Sequence, residues 1–335
     1  MSIRGHFLAG IGAAATASVL RPAPAVAQAA FRVDVHHHLA PPQYVKAALT
    51  HSRMDPSVAA WTPERSLADM EAAGVATAIL SVSNPGVYFG DAAEARSLAR
   101  SSNEYGAELI HSNPGRFGMF AALPLPDIDG TLGEIAYALD TLALDGVGMF
   151  TSYGAKWLGD PFFAPVWEEL NRRRAVVFTH PVINACCGSL IPLVNPRVIE
   201  FGAETARTIA SFVFSGAAAR YPNVRVIFSH AGGTMPFLIE RFTEMGKEPA
   251  MAANVPSGVV NTLQRFYYDT AQSSNPEALG ALTKLVPTSQ VLFGSDFPFR
   301  TETEHVKNLH GCGFSGKQLA AIERGNASRL IARLA

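Results

Sequence analysis

After residue 30, apolar and polar positions alternate between two textures. Short, nearly continuous apolar runs rich in Val, Ile and Phe are separated by longer stretches with apolar residues every three to four positions. The short runs are Phe31–Leu39, Val75–Ser83, Phe117–Leu125, Gly146–Ser152, Ala175–Pro181, Val224–Ala231, Phe266–Ala271 and Val291–Phe297. Continuous apolar runs suit parallel strands covered on both faces; a sheet wet on one side would alternate strictly. The longer stretches carry helix punctuation. Thr62-Pro63-Glu64 supplies an N-cap, a first-turn proline and an early acid, and Gly74 ends that helix. Ser274-Asn275-Pro276-Glu277 repeats the device. Asp160-Pro161 opens a helix that closes on Arg172-Arg173-Arg174, cations that complement a helix C-terminus. Further helices are predicted over Asp91–Ser112, Gly130–Leu144, Ala203–Tyr221, Thr234–Gly246, Thr301–Leu309 and Ser315–Arg333.

This rhythm of strand and helix predicts an α/β fold, a single-domain (β/α)8 TIM barrel over residues 31–335 with loop insertions at its C-terminal face. A doubly wound open sheet is the alternative, but no glycine-rich fingerprint follows the first strand. Pro181–Pro196, with cysteines, glycine and three prolines, predicts a long loop over the barrel mouth.

Residues 1–30 have a different character. Arg4 and His6 precede the apolar run Phe7–Leu20, and Ala25-Val26-Ala27 offers an A-x-A cleavage site. This is the order of a signal peptide, so the protein is expected to be exported, to the periplasm, and cut near Ala27. The run is too short to span a bilayer. Arg4-Gly5-His6-Phe7-Leu8 resembles a twin-arginine signal lacking its second arginine. A disordered alanine-rich tail is the plainer alternative.

Composition excludes more than it selects. The 335 residues are 48% hydrophobic and 16% charged, with a formal net charge of −1. Such a balance argues against nucleic acid or an anionic membrane as partner. Three cysteines make no disulfide framework. The adjacency of Cys186 and Cys187 argues against a bridge between them, and small loop residues is a simpler reading than a catalytic thiol.

Candidate chemistry lies at the strand ends. A period of two puts Asp34, His36 and His38 on one face of the first strand and His37 on the other. The fifth, sixth and eighth strands end in His180, His230 and Asp296. Each closes an apolar run where packing would want another Val or Leu. One terminal histidine alone would be an ordinary hydrogen-bonding residue. Two histidines on the first strand and one polar residue on each of three others point to a metal site at the catalytic end of the barrel. Three histidines and an aspartate with an open position suit one divalent ion, which lowers the pKa of a water or polarises an oxygen. The fifth group is then free for acid–base work. Asn84, Tyr153, Asp269 and Thr270 are candidates for lining the pocket or for ordinary loop hydrogen bonds. His51, His111, His305 and His310 read as surface residues. Phe297 and Phe299 either wall an aromatic pocket or pack.

The order D-x-H-x-H at Asp34–His38, a histidine after strand five, H-x-G-G at His230–Gly233 and G-S-D-x-P at Gly294–Pro298 resembles the amidohydrolase superfamily. Within it, the chain resembles the amidohydrolase-2 branch, which holds aminocarboxymuconate-semialdehyde decarboxylase and the aromatic acid decarboxylases. The stretches DGVGMFTSYG, FFAPVWEELNRRRAVVFTHP and FSHAGGTMPFLIERF are similar to 6-methylsalicylate decarboxylase-like proteins. The resemblance covers nearly all of residues 31–335. It implies that His36, His38, His180 and Asp296 bind one metal ion, zinc with manganese as the alternative. It implies that His230 is the catalytic acid–base residue, with Asp296 sharing in catalysis. Arg241 matches a substrate-binding arginine that reaches a neighbouring subunit's substrate carboxylate; a helix-surface ion pair is its plain alternative. A homodimer or higher homo-oligomer is expected. Two-metal relatives carry a lysine on strand four, whereas GVGMFTSYG is followed by none until Lys156, which favours one ion.

The implied activity is non-oxidative decarboxylation of a small aromatic acid, a salicylate-type hydroxybenzoate. The ring carbon would be protonated by Asp296, or by His230 through water, and CO₂ lost. Hydrolysis of an amide, ester or lactone by the same metal site is the alternative. A third reading, an exported binding protein on a barrel scaffold, has no use for the acid–base pair His230 and Asp296.

Overall fold

The computed structural model describes residues 1–2, 31–51, 54–188 and 190–334. The signal-like segment, its first two residues apart, therefore lies outside the described residues. Eight strands form one parallel sheet: β1 (Arg32–Leu39), β2 (Val75–Val82), β3 (Phe117–Ala121), β4 (Gly146–Phe150), β5 (Val176–His180), β6 (Arg225–Phe228), β7 (Tyr267–Asp269) and β8 (Val291–Leu292). Their spatial order is their order in the chain. The stretch after β8 then returns to β1. Val35 N donates to Phe293 O (3.0 Å), His38 N to Phe297 O (2.8 Å) and Asp296 N to His36 O (2.8 Å). The sheet is thereby nearly closed into a barrel wrapped by helices, and the open doubly wound alternative is excluded.

The helix punctuation works as its chemistry demands. Thr62 accepts from Arg65 N ahead of helix Pro63–Ala73, and Gly74 ends that helix at φ 67°. Asn275 accepts from Ala278 N at the start of Pro276–Leu285. Two expected long helices are instead interrupted by π-turns, at Tyr137–Thr141 and Ala321–Gly325. Helices Pro42–Thr50, Pro56–Ala59 and Val259–Leu263 lie in connections too short for their periodicity to register.

The apolar core has two parts. Most of it lies between the strands and the outer helices. A smaller cluster fills the barrel interior with Val33, Val35, Ile79, Phe120, Phe178 and Ile227 among others, and Leu330 and Ile331 pack beneath it. Arg225, the first residue of β6, donates to Leu330 O (3.0 Å), so this seal is at the N-terminal end of the strands. Polar residues can therefore enter the interior only at the opposite, C-terminal mouth.

Two expectations are corrected. Cys186 and Cys187 are joined by a disulfide with Cα atoms 3.8 Å apart. A turn closed by Cys187 N to Asn184 O (2.9 Å) and by Cys186 N to Asn184 Oδ1 (3.2 Å) holds the adjacent residues in the bridged arrangement. His305 is buried rather than on the surface, because helix Glu302–His310 turns it inward to Ser274 Oγ (2.6 Å) and Thr270 Oγ1 (3.1 Å). Burial pushes its pKa down to about 4. No helix among the described residues is long and apolar enough to cross a membrane.

Candidate metal centre and active site

Strand β1 delivers two histidines through an irregularity. Val33 and Val35 belong to the barrel interior, which by strict alternation would send His36 outward. The β1–β2 register instead shifts between Asp34 and His37. An extra residue of this kind flips the parity of a strand and re-aims its side chains. His36 and His38 thus enter the mouth. Asp34 does not share their face, as alternation had predicted, but joins His37 on the outside.

All five strand-end residues converge. His36 Nε2 lies 3.2 Å from His38 Nε2 and 3.2 Å from Asp296 Oδ1, and His38 Nε2 lies 3.0 Å from the same oxygen. One donor atom each from His36, His180, His230 and Asp296 also lies within 4.8 Å of the others. His38 is not in that second set but is held by its two short contacts, so both groupings describe one cluster.

The imidazoles are oriented from behind. His36 Nδ1 meets Asp269 Oδ2 (2.9 Å), His38 Nδ1 meets Ser81 O (3.2 Å) and His180 Nδ1 meets Pro181 O (2.9 Å). An acceptor on Nδ1 fixes the proton there and leaves a lone pair on Nε2. Three lone pairs and a carboxylate oxygen then face one another with no donor between them. His180 Nε2 has no hydrogen-bond partner among the described residues, though buried. A cation satisfies such a set, and donors about 2.0–2.2 Å from a common ion stand roughly 3.0–3.5 Å apart, as the atoms of His36, His38 and Asp296 do. The residues fit a divalent metal.

Charge follows the same geometry. Burial works against a charged His36, but Asp269 and Asp296 outweigh it and raise its pKa to about 10, so its Nε2 draws a proton wherever no metal ion takes the lone pair. Burial, with the neighbouring histidines, holds His180 well below the usual imidazole range. Burial also opposes charge on Asp296, yet the positive charge drawn to His36 and the imidazoles of His230, His36 and His38 around it keep its carboxyl well below the usual carboxylate range.

The two oxygens of Asp296 face different ways. Oδ1 faces His36 and His38; Oδ2 receives Gln272 Nε2 (2.9 Å) and lies 3.6 Å from His230 Nε2. His230 and Asp296 hold left-handed backbones, φ 54° and 68°, unusual for residues with side chains. Strain of this kind persists where surrounding contacts enforce it. Asp269 Oδ1 supplies one such contact by accepting from His230 N (2.9 Å). Above the cluster opens a cavity of about 560 Å³, lined by His230, Asp296, Gln272, Arg197, Phe201 and Phe299. The Phe201 ring lies nearly parallel to His230, centroids 6.3 Å apart, and Phe299 meets His38 edge-on at 5.8 Å.

Arg241 stands apart from the cluster. It is exposed on helix Ile239–Lys247 and makes no ion pair with the described residues. Lys156, exposed near Asp160 (3.7 Å), is likewise remote. Sequence reasoning left Asp269 among the undecided residues and passed over Ser81 and Gln272. Asp269 closes an apolar run as the five do and was open to the same rule; the other two carry no such mark.

The amidohydrolase family model matches residues 33–333. The chain belongs to that family. It is 39% identical to the decarboxylase macB of Penicillium terrestre over 322 residues, covering 90% of this chain and 95% of that one. It is 40% identical to 6-methylsalicylic acid decarboxylase of Penicillium expansum over 278 residues, 80% of this chain and 85% of that one. The fold is shared with a solved dihydroxybenzoic acid decarboxylase from a Polaromonas species with bound manganese: TM-score 0.79, 22% identity, 90% of this chain and 96% of that one.

Proposed function

We propose that this protein is a metal-dependent decarboxylase that removes CO₂, without oxidation, from a small salicylate-type hydroxybenzoate. The observation that carries the reading is the convergence of donor-free histidine nitrogens and Asp296 Oδ1 beneath a cavity walled by Phe201 and Phe299. The two fungal decarboxylases support the reaction class. His36, His38, His180 and Asp296 hold one ion; the donor set suits zinc first, with manganese the alternative. Bound there, a divalent ion supplies Lewis-acid stabilisation to the substrate's carboxylate and adjacent hydroxyl oxygens.

His230 is the acid–base residue. Its Nε2 is buried without a partner among the described residues and borders the cavity on the Oδ2 side of Asp296. A proton passes from His230, directly or by way of Asp296 Oδ2, to the ring carbon that bears the carboxylate. The carbon–carboxylate bond then breaks, its electron pair restores the aromatic ring, and CO₂ leaves. Phe201 and Phe299 position the ring. Arg241 serves the site of a neighbouring subunit, which makes the protein a homo-oligomer. Residues 1 to about 27 serve as an export signal that is removed, read from their charged, apolar and A-x-A order.

The test is incubation of metal-replete protein with a panel of hydroxybenzoates, following CO₂ and product mass. The expected result is the corresponding phenol. Turnover confined to a parallel panel of lactones and amides would overturn the proposal.

A further inference from the structure

Strand β4 departs from the pattern of the barrel lining. The interior layer is made by Ile79, Phe120, Phe178 and Ile227 on β2, β3, β5 and β6. The β4 residue in register with Phe178 is Gly148. Inward positions of such barrels normally carry bulky side chains. Where that side chain is missing there is a cavity of about 20 Å³, bordered by Gly148, Val82, Ala122, Leu123, Phe150 and His180. That is room for one water- or methyl-sized group.

The niche adjoins the reaction centre. The large cavity borders the cluster through His230 and Asp296, and the niche borders it through His180. Its walls are largely apolar, and the side-chain polar atoms on its border have partners, His180 Nε2 excepted, which belongs to the metal cluster. Ser81 Oγ lies 3.2 Å from His38 Nδ1, the Tyr153 hydroxyl accepts from Phe150 N (3.0 Å), and His180 Nδ1 is on Pro181 O. A hydroxyl placed here would leave water for committed partners, at a cost that a methyl group does not incur.

We propose that the niche at Gly148 is a substituent pocket, which selects aromatic acids carrying a methyl group, rather than a hydroxyl, on the ring position that faces it. The inference rests on the decarboxylase reading for the way the acid is seated. The test compares salicylate, 6-methylsalicylate and 2,6-dihydroxybenzoate, for the metal-loaded native protein and for Gly148→Ala. A Cβ at position 148 would meet its nearest neighbour, Ala121 O, at 3.7 Å, an ordinary contact, so the substitution fits the fold. Native protein is expected to favour the methyl over the hydroxyl compound. Gly148→Ala is expected to lower the ratio of kcat/KM for 6-methylsalicylate over salicylate by about 10- to 200-fold, the usual reach of one methyl-sized contact. Calorimetric binding of the same acids gives a second ratio that needs no turnover. A methyl preference in binding that Gly148→Ala abolishes supports the niche even if no CO₂ is released, and the decarboxylase reading alone then fails. A ratio unmoved by Gly148→Ala in a folded, metal-loaded variant overturns the niche.

Discussion

Three imidazoles at the barrel mouth each have one nitrogen engaged from behind, so each turns a lone pair on the same point. Residue by residue, this divides the roles. His180 Nε2 has no partner among the described residues, so His180→Ala should lose metal and activity together. His230→Ala should keep its metal, while kcat falls about 10²- to 10⁴-fold, the usual contribution of an acid–base group. Metal analysis beside rates decides. If both variants lose metal equally, His230 is a ligand and the division is wrong. Asp269 orients the His36 ring with one oxygen and the His230 backbone with the other. Asp269→Asn should therefore weaken metal affinity about 10- to 100-fold, as loss of partners behind metal ligands does. Competition with a chromogenic chelator measures it, and an affinity equal to native protein would refute it. The five converging residues were legible because each interrupts an apolar run. Gln272 was not, because a glutamine in a polar loop looks like any other, and its contact with Asp296 depends on a left-handed backbone at φ 53° that one sequence does not announce.

At the scale of elements, the apolar runs marked the strands and the caps marked the helices. The β1 irregularity escaped, since register is a property of two strands and not of one. Its consequence lies behind the metal centre. His37 Nδ1 is 3.1 Å from Glu302 Oε1 and 3.3 Å from Asp34 Oδ2, and its Nε2 is 2.8 Å from Ser66 Oγ, all buried. Burial opposes charge on His37, but hydrogen bonds and attraction from Asp34 and Glu302 raise its pKa to about 9. Asp34 in turn receives Ser295 N (3.0 Å), one residue before Asp296. This polar network therefore ties β1 to the loop that carries Asp296 and helps to close the barrel. Burial pushes the Glu302 carboxyl up to about 8, whereas Asp34 is held below the usual carboxylate range, so His37→Leu should leave the buried Asp34 carboxylate without its cation and destabilise the fold by about 3–5 kcal/mol. Urea denaturation reads this directly. A loss below about 1 kcal/mol, the worth of an exposed pair, would mean the network is not charged.

At the scale of the whole molecule, the sequence carries the barrel but not the assembly, because an interface leaves no periodicity of its own. The structure supplies a face. Leu193 is fully exposed, Val198 is 76% exposed, Phe237 74% and Leu190 64%. The turn bearing Phe237 is tied to helix Arg197–Phe214 by Thr234 N on Gly202 O (3.1 Å). Together with Ile191 and Ile199 these side chains expose apolar area on the order of several hundred Å², the size of the largest patch on a typical monomer, which is often functional. Arg241 lies one helical turn beyond Phe237, so a second copy seated on this face would bring its own arginine near the mouth. Leu193→Glu paired with Phe237→Glu should convert the proposed oligomer to monomers by light scattering, and native protein that is already monomeric would refute the assembly. Arg241→Ala should leave assembly intact and raise KM for the acid. The sharing of sites is then tested by mixing. In a dimer of one His230→Ala and one Arg241→Ala subunit, the site that retains His230 receives Arg241 from its neighbour, so at acid concentrations well below the raised KM two poorly active proteins should recover turnover when their subunits are exchanged. Mixed dimers that form and stay inactive would show that Arg241 does not act across the interface, and a fully active Leu193→Glu, Phe237→Glu monomer would show that no second copy is needed.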